Sequence, residues 1–384
     1  MTTPSLPRLA LGIKCSSTAD YFACFRKLLG VLGPVRSGLG WEERQRWGWP
    51  ARQGLARAAD VNASVEAIVD RRPAAGGKPS ITYRYAGDRA LLIEYGEMEL
   101  DLTLNFFVLA VDTALRDRPM DGLVEVAPGF RSILVSYRPE ELAVSDLLDH
   151  LQAVHTELPA EREIEIPSRI IRLPVAFDDS QSREAVQRYV HGIRSDAPNC
   201  EGGNNIDYIV RYNGLASRDE LYDSVLSTEH WNGFIGFFPG LPFLFPVDPR
   251  HVVVVPKYNP TRTWTAEGAL GLGGPCFAIY PVESPGGYQL VGRSLPIFDL
   301  HARNSAFRDN PLLLRPGDRV RFERVEEDEL LGIWDDVRSD RYVYEIEEAP
   351  FNVGSYLEWL PDIEEEAEER RRRREQAADM TPVP

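Results

Sequence analysis

Apolar positions change period along this chain, and the changes mark out its elements. From Ile81, ITYRYAGDRALLIEYG alternates β-branched and aromatic residues around Ala86-Gly87-Asp88, which predicts a hairpin. Leu104, Val108, Val111 and Leu115 then recur at helical spacing and predict one buried helix face. LVEVAPGFRSILVSYRP reads as two more strands around Pro128-Gly129. Ser145 stands as the expected N-cap of a second helix carrying Leu147, Leu148, Leu151 and Val154. Strands and helices that alternate over so short a distance give a small α+β sandwich ending near residue 160.

A second unit opens with SRIIRLPVAFDD. Ser182 is the expected cap of a helix bearing Val186, Tyr189, Val190 and Ile193, and Ser217-Arg218-Asp219-Glu220 reads as a capping box. From Phe234 the period falls to two, in short runs separated by Gly and Pro: FIGFFPGLPFLFP, HVVVVP, PCFAIYPV, YQLVG, DRVRFERV and RYVYEIEE. Close-spaced short strands with turn signals predict a closed or nearly closed β-barrel. The fold class is therefore α+β, a small N-terminal α+β sandwich followed by a barrel. The expected division is a poorly defined extension over 1–78, the α+β domain over 79–162, the barrel over 163–360 and a charged helical tail over 361–384. Within the extension, residues 51–70 are expected to form one helix. In the tail, Glu366, Glu368 and Glu369 precede Arg370, Arg372 and Arg373 by four residues, the favoured order for ion pairs on a solvated helix.

Composition narrows the class. The net charge of −16 disfavours nucleic acid and anionic membranes as partners, since both need a basic face. Four cysteines without a CxxC pair exclude a zinc ribbon and a disulfide scaffold, and no HExxH occurs, so no metal is expected. The sequence shows neither a signal-peptide pattern nor a run of 18 apolar residues, and a cytoplasmic protein with reduced thiols is the expectation. His230, His251 and Cys276 are read as strand-end or core residues.

The chemistry concentrates in two loops between barrel strands. KYNPTRTWTAEGALGLGG, residues 257–274, holds Lys257 and Arg262 with Asn259, Thr261, Thr263 and Thr265 between or beside them. Arginine offers a planar fork to a carboxylate or carbonyl, Asn and Thr add neutral donors and acceptors, and Glu267 can accept an N–H or act as a base. ESPGGYQLVGR sets Glu283 and Arg293 on either side of a Pro-Gly-Gly turn with Tyr288 and Gln289. Together the segments can line a polar pocket for a small, planar, amide-like molecule. They can equally be turns at barrel corners. No phosphate loop and no GxSxG elbow are present.

GFFPGLPFL, DPRH, KYNPTRTWTAEGALGLGG and YPVESPGGYQLVGR resemble the KipI / allophanate hydrolase subunit 1 family, which includes one of the subunits of bacterial 5-oxoprolinase. The likeness is greatest to the version forming the second half of the carboxyltransferase domain of urea carboxylase. It runs from about Ile81 to Leu360 and takes in AGDRALLIEYGE, VAPGFRSILVSY, SRIIRLPVAFDDS and IEEAPFNVGSYLEWL. The resemblance implies a cyclophilin-like barrel and chemistry on a small amide of the urea or 5-oxoproline type. It implies a KipA-like (allophanate hydrolase subunit 2) partner, with a biotin carrier beside it. Carboxybiotin on a partner, or ATP on the complex, is the implied cofactor, with none bound covalently. It places Arg262, Glu267, Glu283 and Arg293 as the catalytic set. The arginines would hold a carboxylate or carbonyl, and one glutamate would orient an N–H or move a proton. Lys257, Tyr258, Asn259, Thr263, Ser284, Gly286, Gly287 and Gln289 are the implied substrate-binding residues. Departures stand beside this: no AMKM-type biotin site, no ATP-grasp portion and no subunit 2 half are read in the sequence. GFFPGLPFL leans toward the 5-oxoprolinase protein and KYNPTRTW toward urea carboxylase. The alternatives are a regulatory binding protein, like the KipI inhibitor of a sensor histidine kinase, or an inactive remnant.

Overall fold

The computed structural model describes residues 67–384. Its first layer is an antiparallel sheet of order β1-β2-β3-β5-β4, made by β1 (Ile68–Arg72), β2 (Ile81–Tyr85), β3 (Ala90–Tyr95), β4 (Leu123–Pro128) and β5 (Ser132–Tyr137). Alternation turns Tyr83, Leu91, Ile93, Tyr95, Ile133 and Val135 inward, onto α1 (Leu102–Arg116) and α2 (Val144–Glu157). The four residues expected on the buried face of α1 are all buried, and Asp101 caps the helix by accepting from the Thr103 amide at 2.8 Å.

Three expectations need correction here. The sheet begins at Ile68, inside the span assigned to the extension. The end of the helix expected over 51–70 is thus strand; its residues 51–66 lie outside the described part. Lysine and arginine chemistry fixes β1 and the turn after it. The Lys78 ammonium donates to the His155 and Thr156 carbonyls at 3.0 and 2.9 Å, and Arg72 donates to the Gln152 carbonyl, all at the C-terminal end of α2, where orphan acceptors favour cations. Second, α2 starts from Ala143, whose backbone is extended, so Ser145 already lies inside the first turn and makes no cap. Third, α3 (Ser180–Gly192) is capped by Asp179, whose carboxylate accepts from the Gln181 and Ser182 amides; Ser182 sits three residues further on. Ser217 does cap α5 (Arg218–Leu226), and Glu220 reaches back to the Ala216 amide.

The second layer is a closed barrel of seven strands. Its order is β12 (Gln289–Ser294), β10 (Ala269–Gly273), β11 (Cys276–Ile279), β9 (Pro242–Pro246), β8 (His230–Ile235), β13 (Arg319–Arg324) and β7 (Arg169–Phe177). Closure comes where β12 returns to β7, pairing Gly292 with Phe177 and Ser294 with Val175. Gly292 is required there, because a Cβ would overlap the Ala176 carbonyl. A further strand, β14 (Glu345–Glu348), pairs with the other half of β7, and the two-residue strands β6 (Glu165–Ile166) and β15 (Phe351–Asn352) pair with each other. HVVVVP is not a strand. Only Val255 bridges to Gly274, while Asn213, which ends α4 (Ile206–Tyr212), pairs with both backbone groups of Val254 at 2.8 Å and takes a neighbouring strand's place.

α6 (Glu327–Arg338) packs on the barrel. The last helix, α7 (Val353–Asp379), starts eight residues before the expected tail and is not a free solvated helix. Arg370 and Arg374 donate to the Arg250 and Val252 carbonyls, and Arg373 pairs with Glu220. The expected Glu366–Arg370 pair forms at 2.7 Å. Among the described residues, no helix is long and apolar enough to cross a membrane.

His155 lies buried between two tyrosines, with Nδ1 2.9 Å from the Tyr83 hydroxyl and Nε2 2.8 Å from that of Tyr95. Burial lowers its pKa from 6.5 to about 4, and the charges of Arg72 and Lys78 act in the same direction. The unfolded chain thus binds a proton that the folded chain refuses between those values. Stability is full above pH 6.5 and falls as pH drops through it. This residue alone is expected to remove about 2 kcal/mol between pH 6.5 and 5. Urea melts across that interval, with His155→Gln as the reference, measure it; equal slopes in the two proteins would assign the loss elsewhere.

Candidate functional site

The two loops singled out in the sequence meet along their backbones. The Tyr258 amide donates to Gly287, and Arg262 and Gly286 exchange two backbone bonds at 2.9 and 3.1 Å. Beside this zipped pair, the loop between β8 and β9 closes a pocket of about 160 Å³. Its walls are aromatic and aliphatic: Phe237, Leu241, Phe243, Tyr280 and Tyr288 dominate. Its polar groups are few, chiefly the Lys257 ammonium, 5.2 Å from the centre of the Tyr288 ring, and the Thr261 hydroxyl.

Phe237 stands at the rim with φ of +61° and 83% of its area exposed. A left-handed backbone costs a non-glycine residue about 1–2 kcal/mol, and here it holds an apolar ring out in solvent at the mouth of a pocket. Gly240 (φ +79°) supplies the other unusual angle of this loop, and a Cβ there would press on Leu312. Gly286 is glycine because a Cβ would overlap the Tyr280 hydroxyl that walls the pocket.

The structure divides the predicted residues into four groups. Lys257 and Gly287 line the pocket. Arg262, Tyr258 and Gln289 turn inward beneath it. Arg262 is 1% exposed, donates to the Tyr288 carbonyl and to Thr265 Oγ1, and stacks over Tyr258 at 4.4 Å. The Tyr258 hydroxyl pairs with Asn205 and Cys200, and Gln289 bridges Asn199 to the Pro256 carbonyl. Asn259, Thr263 and Glu283 are exposed, and Ser284 is buried behind Glu283 with its amide on the Thr265 carbonyl. Glu267 and Arg293 lie together elsewhere, with Arg293 Nε donating to the Glu267 carbonyl at 2.8 Å. Gln289 and Arg293 occupy the two ends of β12, about 13 Å apart at the usual strand rise. Thus the four residues expected as one catalytic set do not converge in this structure. One is a buried clamp, one is on the surface and two form a separate cluster.

The sequence places Tyr288 beside the Pro-Gly-Gly turn but does not single out Phe237, Leu241, Phe243 and Tyr280 as site residues, although GFFPGLPFL stands among the motifs. Unusual aromatic density beside glycines is the signal that could have found them. His230 is a core residue, as expected, fully buried with Nε2 on the Val225 carbonyl. Cys276 is buried, and desolvation pushes its thiol up to about 12, so it carries no thiolate at neutral pH.

The described residues thus join a seven-strand barrel to an α+β sandwich, with a pocket of about 160 Å³ between barrel loops. Residues 81–308 match the carboxyltransferase domain, subdomain C and D, and the chain belongs to this family. It is 38% identical to urea amidolyase of Lachancea kluyveri over 284 residues, which is 73% of this chain and 15% of the relative. It is 34% identical to a 5-oxoprolinase subunit of Escherichia coli O157:H7, covering 53% of this chain and 78% of that protein. The crystal structure of K. lactis urea amidolyase superposes with a TM-score of 0.73 at 34% identity, over 82% of this chain and 19% of that one. The chain therefore spans about a sixth of the urea amidolyases and most of the bacterial protein.

Proposed function

We propose that this chain is one half of a carboxyltransferase or amide-opening enzyme that acts on a small cyclic or planar amide together with a KipA-like partner. The observation that carries the reading is the pocket under Phe237, where a single ammonium, Lys257, stands among aromatic walls. An amide or ureido carbonyl can accept from Lys257 while the flat face of the molecule rests on Tyr288. Urea has four N–H donors and little apolar surface, and these walls offer it few acceptors. A lactam such as 5-oxoproline also presents hydrocarbon to the walls and a carboxylate to Lys257, so the cyclic amide is the better chemical match.

The ureido ring of biotin also suits this donor set. Lys257, Tyr288 and Phe237 would hold it, and carboxybiotin on a partner supplies the carboxyl group when bound. ATP fits this pocket poorly, since one ammonium cannot balance a triphosphate, and on the lactam reading it belongs to the complex as a whole.

The test is the chain purified from its native cell with its accompanying subunits and assayed for turnover of 5-oxoproline and of urea. Lys257→Met is expected to lower kcat/KM ten- to a hundredfold, about 1.4–2.7 kcal/mol. Phe237→Ala is expected to raise KM several-fold and leave kcat nearly unchanged. Wild-type turnover by the Lys257 variant would end the assignment, and turnover of urea alone would move the substrate from lactam to open amide.

A further inference from the structure

Tyr280 directly follows β11, and its backbone continues the β10–β11 ladder. Its amide donates to the Ala269 carbonyl at 2.9 Å, and its carbonyl accepts from the Gly268 amide at 2.8 Å. The side chain is 3% exposed and belongs to a small apolar cluster with Ala185, Ala269 and Leu290. Its hydroxyl makes no hydrogen bond among the described residues. A buried tyrosine hydroxyl normally has a partner, because an unmet polar group is costly. Tyr280 also lines the aromatic pocket, so the partner its hydroxyl lacks in the protein is open to it there.

The Pro-Gly-Gly turn fixes where this hydroxyl stands. A Cβ on Gly286 would overlap it, and a Cβ on Gly287 would lie 3.2 Å from Thr261 Cγ2 and 3.8 Å from Lys257 Cβ. Two consecutive glycines therefore have the phenol against one and the stem of Lys257 against the next. A Cβ on Gly271 would meet Tyr288 Cβ at 2.9 Å and the Tyr280 ring at 3.2 Å, so these two wall residues are neighbours. The chemistry of the polar groups differs. An ammonium only donates, whereas a phenol both donates and accepts. The Tyr288 hydroxyl lies beside the Cys276 thiol, and Thr261 is exposed to water. Tyr280 is left as the sheltered acceptor of the pocket.

We infer that the Tyr280 hydroxyl accepts the amide N–H of the ligand while Lys257 serves its carbonyl, so that the pocket selects cyclic amides with a free N–H over ring esters of the same shape. The inference deepens the lactam reading of the pocket and rests on it. A lactam holds its N–H and C=O on one edge, where a neighbouring acceptor and donor can read both. A site built to pair a ligand N–H discriminates strongly against the analogue that lacks it, because its own polar group is then left unpaired.

Calorimetric titration of the full chain with its accompanying subunits tests this, using 5-oxoproline and the ring ester that carries oxygen in place of its N–H. The wild type is expected to bind the lactam at least about tenfold more tightly than the ester. Tyr280→Phe removes no hydrogen bond from the protein. It is expected to weaken the lactam by about tenfold or more and to leave the ester within about twofold. Equal weakening of both ligands would make Tyr280 a wall that only shapes the pocket. Unchanged lactam affinity, or a wild type that binds both ligands alike, would mean that the hydroxyl does not read the N–H. Each of these overturns the inference and leaves the lactam reading standing. A wild type that binds neither ligand would overturn the lactam reading, and this inference with it.

Discussion

Replacing Trp231 by alanine is expected to cost about 3–5 kcal/mol, the range for a fully buried large aromatic, and to break the cooperativity of the two layers. Trp231 belongs to barrel strand β8, yet its ring packs into the core of the α+β layer, 4.8 Å from Phe106 and 5.1 Å from Phe351. Its indole N–H donates to Asn105 Oδ1 at 2.7 Å. The amide of the same asparagine donates to the Phe130 carbonyl, in the turn between β4 and β5, and to the Gly233 carbonyl, in β8. One side chain pair thus joins a helix, a hairpin and the barrel. Alanine leaves a cavity and strips a buried acceptor of its donor. Urea unfolding of the wild type is expected to give coincident transitions by far-ultraviolet circular dichroism and by tryptophan fluorescence. In the variant the midpoint falls and the two curves separate. Trp231→Phe keeps the packing, loses the donor and is expected to cost about 1–3 kcal/mol. A loss below about 1 kcal/mol for alanine would mean that the ring is not what couples the layers.

The elements with strong local periods were legible in the sequence. The hairpin at Ala86–Asp88, α1, the Ser217 cap and the barrel class all follow from alternation, helical spacing and turn residues. What failed depended on distant partners. β1 exists because it pairs with β2 and because Lys78 and Arg72 find the end of α2, 77 and 80 residues away. HVVVVP has strand composition but is satisfied by the side chain of Asn213. The site divides in the same way. Both polar loops stand out in the sequence, and they do lie against each other. The direction each side chain takes was not readable, since it follows from which backbone groups zip together. The resemblance gave Arg262 and Arg293 the same role, holding a carboxylate or carbonyl; one points into the core and the other lies toward the far end of a strand.

Arg262→Met is expected to separate binding from stability. The guanidinium is buried with no carboxylate partner among the described residues, and its Nε has no acceptor, so the charge is poorly compensated. An uncompensated buried charge costs several kcal/mol and is partly offset here by the Tyr288 carbonyl, Thr265 and the face of Tyr258. Methionine removes the charge and these contacts together, and its apolar stem fills the same space. The net change in folding free energy is therefore expected to stay within about 1 kcal/mol. The loops behave differently. Arg262 is the side chain that ties the Tyr288 carbonyl to the Lys257 loop, and without it only the three backbone bonds to Gly286 and Gly287 hold the pocket wall in place. Amide exchange at Tyr258 and Gly286 is expected to accelerate about ten- to a hundredfold, in step with the loss of one charge-assisted bond of about 1.5–3 kcal/mol. On the lactam reading proposed for the pocket, affinity for 5-oxoproline should fall at least tenfold while the melting temperature barely moves. Lysine is no remedy, because a point charge cannot reach Tyr288 and Thr265 in one plane while lying flat on Tyr258. If exchange and binding were both unchanged in the methionine variant, Arg262 would be filling space and the pocket would owe its shape to the backbone pairing alone.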